Sequence, residues 1–134
     1  MIHSWHPLKI GNYTEQDGSC RFSLEKEINT PRFFSEVRGS TNGINIDNEL
    51  WFIVHVVSYE TMRHYYHIFV ILDPDTYELK RYSKMFTFEN KKIEYTTGMV
   101  YFKEQKEFMI GYSLYDKETK FIWTNKDDIN KLFE

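Results

Sequence analysis

The 134-residue sequence contains no alanine, one cysteine, three prolines and six glycines. Alanine is the best helix former, so its absence beside many Ile, Tyr, Phe, Thr and Val residues favours strands over helices. The single cysteine, Cys20, excludes an internal disulfide. We therefore expect an all-β fold that is held together by its apolar side chains.

Strong positive charge and long apolar runs are also missing. The net charge is −3 and the lysines are scattered among acids, which makes nucleic acid a poor partner. The longest apolar run, from Leu50 to Val57, is interrupted by His55 and is too short to cross a bilayer. Because Met1 to His3 opens no signal peptide, we expect a cytoplasmic protein without membrane or nucleic-acid partners.

The sequence has no nucleophile motif around Ser or Cys, no phosphate-binding glycine loop and no paired cysteines. Acyl transfer, nucleotide hydrolysis and structural zinc are therefore not indicated, and we expect no cofactor. His64 and His67 have a spacing that suits a metal site on a helix, but residues three apart on a strand face opposite sides. A metal site would need His3, His6 or His55 nearby, so none is predicted.

Aromatic residues are abundant, at 18% of the chain, and the length fits one domain. Alternating apolar and polar residues, separated by turn signals such as Asp73-Pro74, predict antiparallel hairpins. The predicted strands are Cys20–Leu24, Leu50–Tyr59, His64–Leu72, Leu79–Tyr82, Met85–Phe88, Glu94–Phe102, Phe108–Tyr115 and Thr119–Trp123. The first forty residues are otherwise expected to be irregular. One short C-terminal helix is predicted to follow a cap at Thr124 or Asn125.

A weak internal repeat organises the strands. Gly43 followed by Glu49 to Val54 matches Gly98 followed by Glu107 to Tyr112, at offsets of 55 and 58 residues. Four short antiparallel strands at this period are typical of a β-propeller blade, and a β-sandwich gives similar spacing. The pattern predicts a single β-rich domain of partial β-propeller type, with a β-sandwich as the alternative. Its expected parts are a lead-in over 1–43, a four-stranded unit over 44–93, and a second unit with the helix over 94–134.

Several short motifs between Arg38 and Gly98 carry a resemblance to a known family. They read Arg38-Gly39-Ser40-Thr41, Leu50-Trp51-Phe52-Ile53-Val54-His55, Arg63-His64-Tyr65-Tyr66-His67, Met85-Phe86-Thr87-Phe88 and Ile93-Glu94-Tyr95-Thr96-Thr97-Gly98. The run resembles propeller segments of five-bladed glycoside hydrolase-like and phosphorylase-like proteins. It is also similar to propeller regions attached to some glycosyltransferases, often from giant viruses and bacteria.

The resemblance implies a sugar-related surface where the innermost strands of a propeller converge. The residues that it places near this surface are Arg38, His55, Arg63, Tyr66, His67 and Glu94. The sequence departs from the family at Arg38-Gly39-Ser40, where propeller glycosidases commonly carry Arg-Asp-Pro. Because Gly39 replaces a carboxylate that those enzymes use, we expect ligand binding rather than catalysis.

Glycoside hydrolysis needs two carboxylates that face each other across the scissile bond. Glu94, at the start of a strand, and Asp116, in the hairpin that follows, are the best pair in this sequence. The alternative is that Glu94 is a buried hydrogen-bond acceptor and Asp116 a turn residue. His55 likewise either binds a ligand or is a core histidine that bonds to a neighbouring strand or to Tyr66. Trp51 is expected in the core, because most aromatic residues of β-rich proteins are buried.

Three functions stay open at this point. The leading prediction is a non-catalytic, propeller-like module that binds a carbohydrate or a glycan-bearing partner. One alternative is a glycosidase or glycoside phosphorylase fragment that uses Glu94 and Asp116. The other is a viral assembly or regulatory module that binds protein, which an exposed apolar strand edge would favour. Since two or three blades cannot close a propeller ring, we also expect a homodimer that covers the open edges.

Overall fold

The computed structural model describes residues 1–58 and 64–133, except for the side chain of Ser40. The protein is mostly β, with three antiparallel sheets and one short C-terminal helix. Contacts between Cα atoms divide the chain into two compact units, Met1–Val37 and Arg38–Glu134. The all-β prediction is confirmed, whereas the single-domain organisation stays a prediction.

The first unit contains a regular sheet of three strands, where the sequence predicted a lead-in with one short strand. Its strands are β1 (Ile2–Trp5), β2 (Leu8–Gln16) and β3 (Ser19–Ile28), paired antiparallel in the order β1-β2-β3. The predicted strand Cys20–Leu24 lies within β3, whereas the prediction of an irregular segment is wrong for most of the remaining residues up to Ile28. It failed because most side chains after Gly11 in β2 and β3 are exposed, so these strands show little apolar alternation.

The second unit begins with a sheet of five strands. They are β4 (Val37–Ser40), β5 (Ile44–Ile46), β6 (Glu49–Ser58), β7 (His64–Leu72) and β8 (Leu79–Tyr82). The order is β4-β6-β7-β8, and β5 pairs with β6. The long β6–β7 ladder runs without a register shift from the Leu50–Leu72 pair to the Ser58–His64 pair.

Side chains stabilise the turn after β7. They also stabilise the segment after β8, which was expected to form a strand. The Asp73 carboxylate accepts hydrogen bonds from the backbone N–H groups of Asp75 and Thr76 at 2.8 and 2.9 Å, as the predicted tight turn requires. The predicted strand Met85–Phe88 is reduced to one bridge between Phe86 and His67. It ends there because the N–H of Phe88 bonds to a carboxylate instead of a neighbouring strand.

The third sheet contains β9 (Glu94–Phe102), β10 (Glu107–Leu114) and β11 (Glu118–Asn125), in the order β11-β10-β9. Helix α1 (Lys126–Asn130) follows directly, and a short 3₁₀ turn covers Lys131–Phe133. The predicted cap at Asn125 is present, since its side-chain oxygen accepts the N–H of Asp128 at 2.8 Å.

Both sheets of the second unit contribute side chains to one hydrophobic core. The ring of Trp51 on β6 lies 6.0 Å from Phe69 on β7 and 5.6 Å from Phe108 on β10. The buried members of the cluster are Ile46, Trp51, Ile53, Phe69, Ile71, Met99, Phe108, Ile110 and Ile129. The core position predicted for Trp51 is confirmed, and the aromatic contacts join the two sheets.

The internal repeat corresponds to two similar three-stranded meanders, β5-β6-β7 and β9-β10-β11. Their apolar residues face differently, however. An offset of 58 residues aligns Trp51 with Met109 and Phe52 with Ile110, yet Trp51 and Ile110 are the residues that enter the common core. The sheets of the described residues have three, three and five strands and do not close into a barrel. They therefore give no confirmation of the propeller type.

Two glycines that lie directly opposite each other in β9 and β10 offer a matched test of this packing. A Cβ atom on Gly111 would lie 2.8 Å from Thr97 Oγ1 and 3.2 Å from the ring of Phe121. A Cβ atom on Gly98 would meet only Asn42 Oδ1, at 3.7 Å.

We predict that Gly111→Ala lowers the free energy of unfolding by about 1–3 kcal/mol, because overpacking forces neighbouring groups apart. Gly98→Ala should change it by no more than about 0.5 kcal/mol, since the added methyl group meets no tight contact. Urea unfolding followed by tryptophan fluorescence measures both values. Equal losses in the two variants would show that the close contacts of Gly111 with Thr97 and Phe121 do not cause the loss of stability.

Candidate functional site

His55 and His67 lie directly opposite each other on β6 and β7, with ring centroids 5.9 Å apart. Residues that pair directly across an antiparallel ladder share a face, and this face also carries Trp51, Ile53 and Phe69. The histidine pair is therefore a polar end of the apolar core.

The surroundings of this pair are almost entirely aromatic. The ring of Phe88 lies 4.8 Å from His67, and Tyr65 and Tyr95 lie 6.2 and 5.9 Å from His55. Among the described residues, neither ring nitrogen of His67 has a hydrogen-bond partner, and Nδ1 of His55 also lacks one. Buried polar atoms usually have partners, so three such atoms in one place form the least satisfied part of the second unit.

Burial keeps both histidines uncharged at neutral pH. Loss of hydration and, to a smaller extent, repulsion from a charged His55 together lower the pKa of His67 from 6.5 to about 3. The pKa of His55 is lowered by burial as well. To donate a proton near pH 7, either ring would first have to be protonated, and burial of that positive charge costs free energy.

Glu94 is fully buried at the start of β9, and its carboxylate organises a turn. The carboxylate accepts hydrogen bonds from the backbone N–H groups of Phe88, Glu89 and Lys91 at 2.6, 3.2 and 3.4 Å. These contacts use the oxygens that a general acid or nucleophile would need. The geometry thus matches the buried-acceptor interpretation of Glu94.

A second carboxylate lies at the other side of this turn. Glu89 accepts a hydrogen bond from the Tyr112 hydroxyl at 2.9 Å and one from Lys120 Nζ at 3.2 Å. The hydrogen bond from Tyr112 lowers the pKa of Glu89, while burial and the same bond raise the pKa of Tyr112 to about 12. Glu89 was not singled out from the sequence, because its partners come from the distant strands β10 and β11.

The residues that the resemblance grouped together do not share one pocket. Tyr66 pairs with Val56 and lies on the face of the sheet opposite to His55 and His67, where its ring stacks on His64 at 4.4 Å. His64 and His67 therefore face opposite sides, as the strand spacing predicted.

The other predicted site residues are spread along the second unit. Arg38 is an exposed residue of β4, and Asp116 is exposed in the β10–β11 hairpin with a φ of 57°. Arg63 lies outside the described residues. His55 and His67 come close together, and Glu94 lies near them through Phe88. The role of these residues in binding stays a prediction.

The described residues contain no group of three or more His, Cys, Asp or Glu side chains that could hold a metal ion. His55 does approach His67, as a metal site would require. No third ligand joins this pair within residues 1–58 and 64–133.

The third sheet carries a shallow groove on the face that points away from the core. Its volume is about 360 Å³, and its floor is formed by Gly98 and Gly111. Phe121 on β11 and Val100 on β9 flank the floor. The Asn42 side chain closes one end and bonds to the backbone N–H and C=O of Met99 at 3.4 and 3.3 Å, as another strand would.

An apolar pocket of about 140 Å³ lies on the core side of the same sheet. It is lined by Phe69, Phe86, Thr87, Phe88, Ile110, Ile122, Thr124, Ile129 and Leu132. Ile122 and Thr124 belong to β11, so the pocket reaches the outermost strand of the sheet.

Strand β11 exposes three consecutive apolar residues. Phe121 is 64% exposed, Ile122 37% and Trp123 57%. Phe121 and Trp123 project from the outer face, where Trp123 stacks on Phe102 at 5.2 Å, while Ile122 projects towards the core side. In the sheet order β11 pairs with β10 alone, so its other edge carries no strand among the described residues.

The sequence contained a signal for this exposed edge, namely three consecutive apolar residues that do not follow the alternation of apolar and polar residues. Phe121, Ile122 and Trp123 place apolar groups on both faces of a strand that is the last of a meander and precedes a helix. The last strand of a meander lies at the edge of its sheet, where nothing in the same sheet covers it.

No family model, curated protein or solved structure matches the chain. None of the helices within the described residues has the length and apolarity needed to span a membrane. The similarity to propeller segments consequently stays a prediction.

We predict that the second unit loses stability as the pH falls from 6.5 towards 3. The folded pKa of His67 lies below its unfolded value, so the unfolded chain binds a proton that the folded chain does not. The free energy of unfolding should fall by about 1.4 kcal/mol per pH unit from this residue alone.

The measurement is urea unfolding at pH 6.5, 6.0 and 5.5, a window that lies above the usual pKa values of Asp and Glu. His67→Gln should lower stability at pH 6.5. Because Gln does not titrate, the slope should fall by up to about one proton, so the difference from the wild type should narrow as the pH falls. An unchanged slope in His67→Gln would contradict the assignment of this acid sensitivity to His67.

Proposed function

We propose that the protein is a non-catalytic protein-binding module whose docking surface is the edge of β11. The observation that supports it is the exposure of Phe121, Ile122 and Trp123 on both faces of an edge strand. An edge strand presents backbone N–H and C=O groups that can pair with a strand from another chain. Pairing provides affinity, and the alternating side chains provide specificity.

Apart from Lys120, the edge lacks the features that usually protect a strand from such pairing. Natural edges carry central charges, prolines or bulges. The β10–β11 ladder runs from the Glu107–Asn125 pair to the Leu114–Glu118 pair without a register shift. Lys120 is the only charged residue between Thr119 and Asn125. The central part of β11 is thus regular, apolar and suited to strand addition.

The two faces of β11 offer different side-chain contacts to a docked strand. On the outer face, Phe121 and Trp123 would lie beside the first and third of three successive partner residues. On the core side, Ile122 borders the apolar pocket of about 140 Å³, which can accept a partner side chain. A partner segment with alternating apolar residues fits both faces.

The enzyme alternative has less support. The oxygens of Glu94 accept three backbone N–H groups, and Asp116 is exposed in a hairpin turn. Gly39 also stands where the propeller glycosidases commonly have a carboxylate. Two sheets that share one core support the β-sandwich alternative for the second unit better than propeller blades.

A carbohydrate is the second candidate ligand, because the groove floored by Gly98 and Gly111 has the ring of Phe121 on one side. Aromatic rings pack on the apolar faces of sugars. Substitutions at Phe121 and Ile122 distinguish the two functions. A sugar in the groove contacts Phe121 on the outer face, whereas strand addition involves both residues.

The test is a selection of short random peptides against the full chain. We predict that enriched peptides carry alternating apolar residues and bind Phe121→Lys and Ile122→Lys at least about tenfold more weakly than the wild type. Leu24→Lys is the matched control, since Leu24 is 50% exposed on the edge strand β3. It should bind the same peptides with unchanged affinity.

Equal binding by all variants, or no enriched peptide, would contradict the docking function. A glycan-array screen covers the second candidate. A glycan that binds the wild type and Ile122→Lys but not Phe121→Lys would favour carbohydrate binding in the groove.

A further inference from the structure

We propose that one partner of the β11 edge is a second copy of this chain, paired antiparallel about a two-fold axis at Ile122. This inference rests on the proposed function and names the occupant of the same edge. The pairing would join two three-stranded sheets into one continuous sheet of six strands.

Symmetry limits the registers that such a pair can adopt. A two-fold axis normal to the sheet keeps the outer face of one copy beside the outer face of the other. It therefore passes midway between one residue and its own copy, which lie directly opposite each other, and the flanking residues pair across the axis. An axis at Glu118, Thr119, Thr124 or Asn125 would leave at least two of the three apolar residues opposite positions outside β11. The remaining centres are Lys120, Phe121, Ile122 and Trp123.

Two of these centres bring unfavourable partners together. An axis at Lys120 would place two ammonium groups directly opposite each other, and like charges in that position are destabilising. An axis at Trp123 would place Phe121 opposite Asn125 and Ile122 opposite Thr124, so that neither apolar residue would meet an apolar partner.

Side-chain pairing favours Ile122 over Phe121. With the axis at Ile122, Phe121 of each copy lies opposite Trp123 of the other, so two aromatic pairs form on the outer face. Lys120 then lies opposite Thr124. With the axis at Phe121, Lys120 would lie opposite the apolar Ile122, and Trp123 would lie opposite Thr119.

The Ile122 register would also bury the apolar side chains that β11 leaves exposed. The two Ile122 side chains would meet on the core side, beside the pocket that each of them lines. Each aromatic pair would extend the stack that Trp123 already makes with Phe102 at 5.2 Å. A strand pair buries less than the roughly 800 Å² per partner of a standard interface, so we expect a dimer that dissociates on dilution.

The test introduces single cysteines at β11 into Cys20→Ser, which removes the one native thiol. Residues directly opposite each other have Cα atoms about 4.5–5.5 Å apart, within the range of about 4.4–6.8 Å that a disulfide spans. Ile122→Cys in this background should form a disulfide-linked dimer at least about tenfold faster than Lys120→Cys under the same mild oxidation. Phe121→Cys is the control for the competing register.

Sedimentation of the wild type at concentrations from about 5 to 500 µM measures the same association without mutation. A mass that rises from 16.3 kDa towards twice that value, together with fast cross-linking at position 122, supports the proposal. Faster cross-linking at position 121 or 120 overturns the register. A constant monomer mass overturns the dimer, and the peptide selection then tells whether the edge still docks other strands.

Discussion

The second unit depends on the aromatic contact between β6, β7 and β10, in which Trp51 touches Phe69 and Phe108. These rings come from two separate sheets, and no continuous ladder of backbone hydrogen bonds joins the sheets within the described residues. Packing must therefore fix their relative position. At the borders of this core, polar side chains replace missing strand partners. The Asn42 amide and the Glu94 carboxylate form hydrogen bonds with backbone groups that pair with no strand among the described residues.

Much of the second unit could be predicted from local sequence. The strands near Leu50, His64, Glu94 and Phe108 combine β-branched and aromatic residues with clear turn signals, and all of them are present. The helix cap at Asn125 is also local, because one side chain satisfies a backbone group three residues away. Such features depend on neighbouring residues in the chain and need no knowledge of the tertiary arrangement.

The candidate sites depend on register and on sheet order, which the sequence leaves open. A shift of one residue in the β6–β7 register would have placed Tyr66 beside His55, whereas the observed register pairs His55 with His67. Glu89 finds its partners on strands that follow it by more than twenty residues. The exposure of Phe121 follows from the position of β11 at the edge of its sheet. Apolar character alone would assign Phe121 to a core.

The edge of β11 and the core are two consequences of one arrangement. Ile110 on β10 and Met99 on β9 face the core, while β11 exposes apolar groups on both faces. Hydrogen exchange of the β11 amides across a range of protein concentrations tests this account most directly. We predict that exchange in β11 slows as concentration rises, while exchange in the edge strand β3 stays constant. Exchange in β11 that is independent of concentration would contradict self-association through this edge.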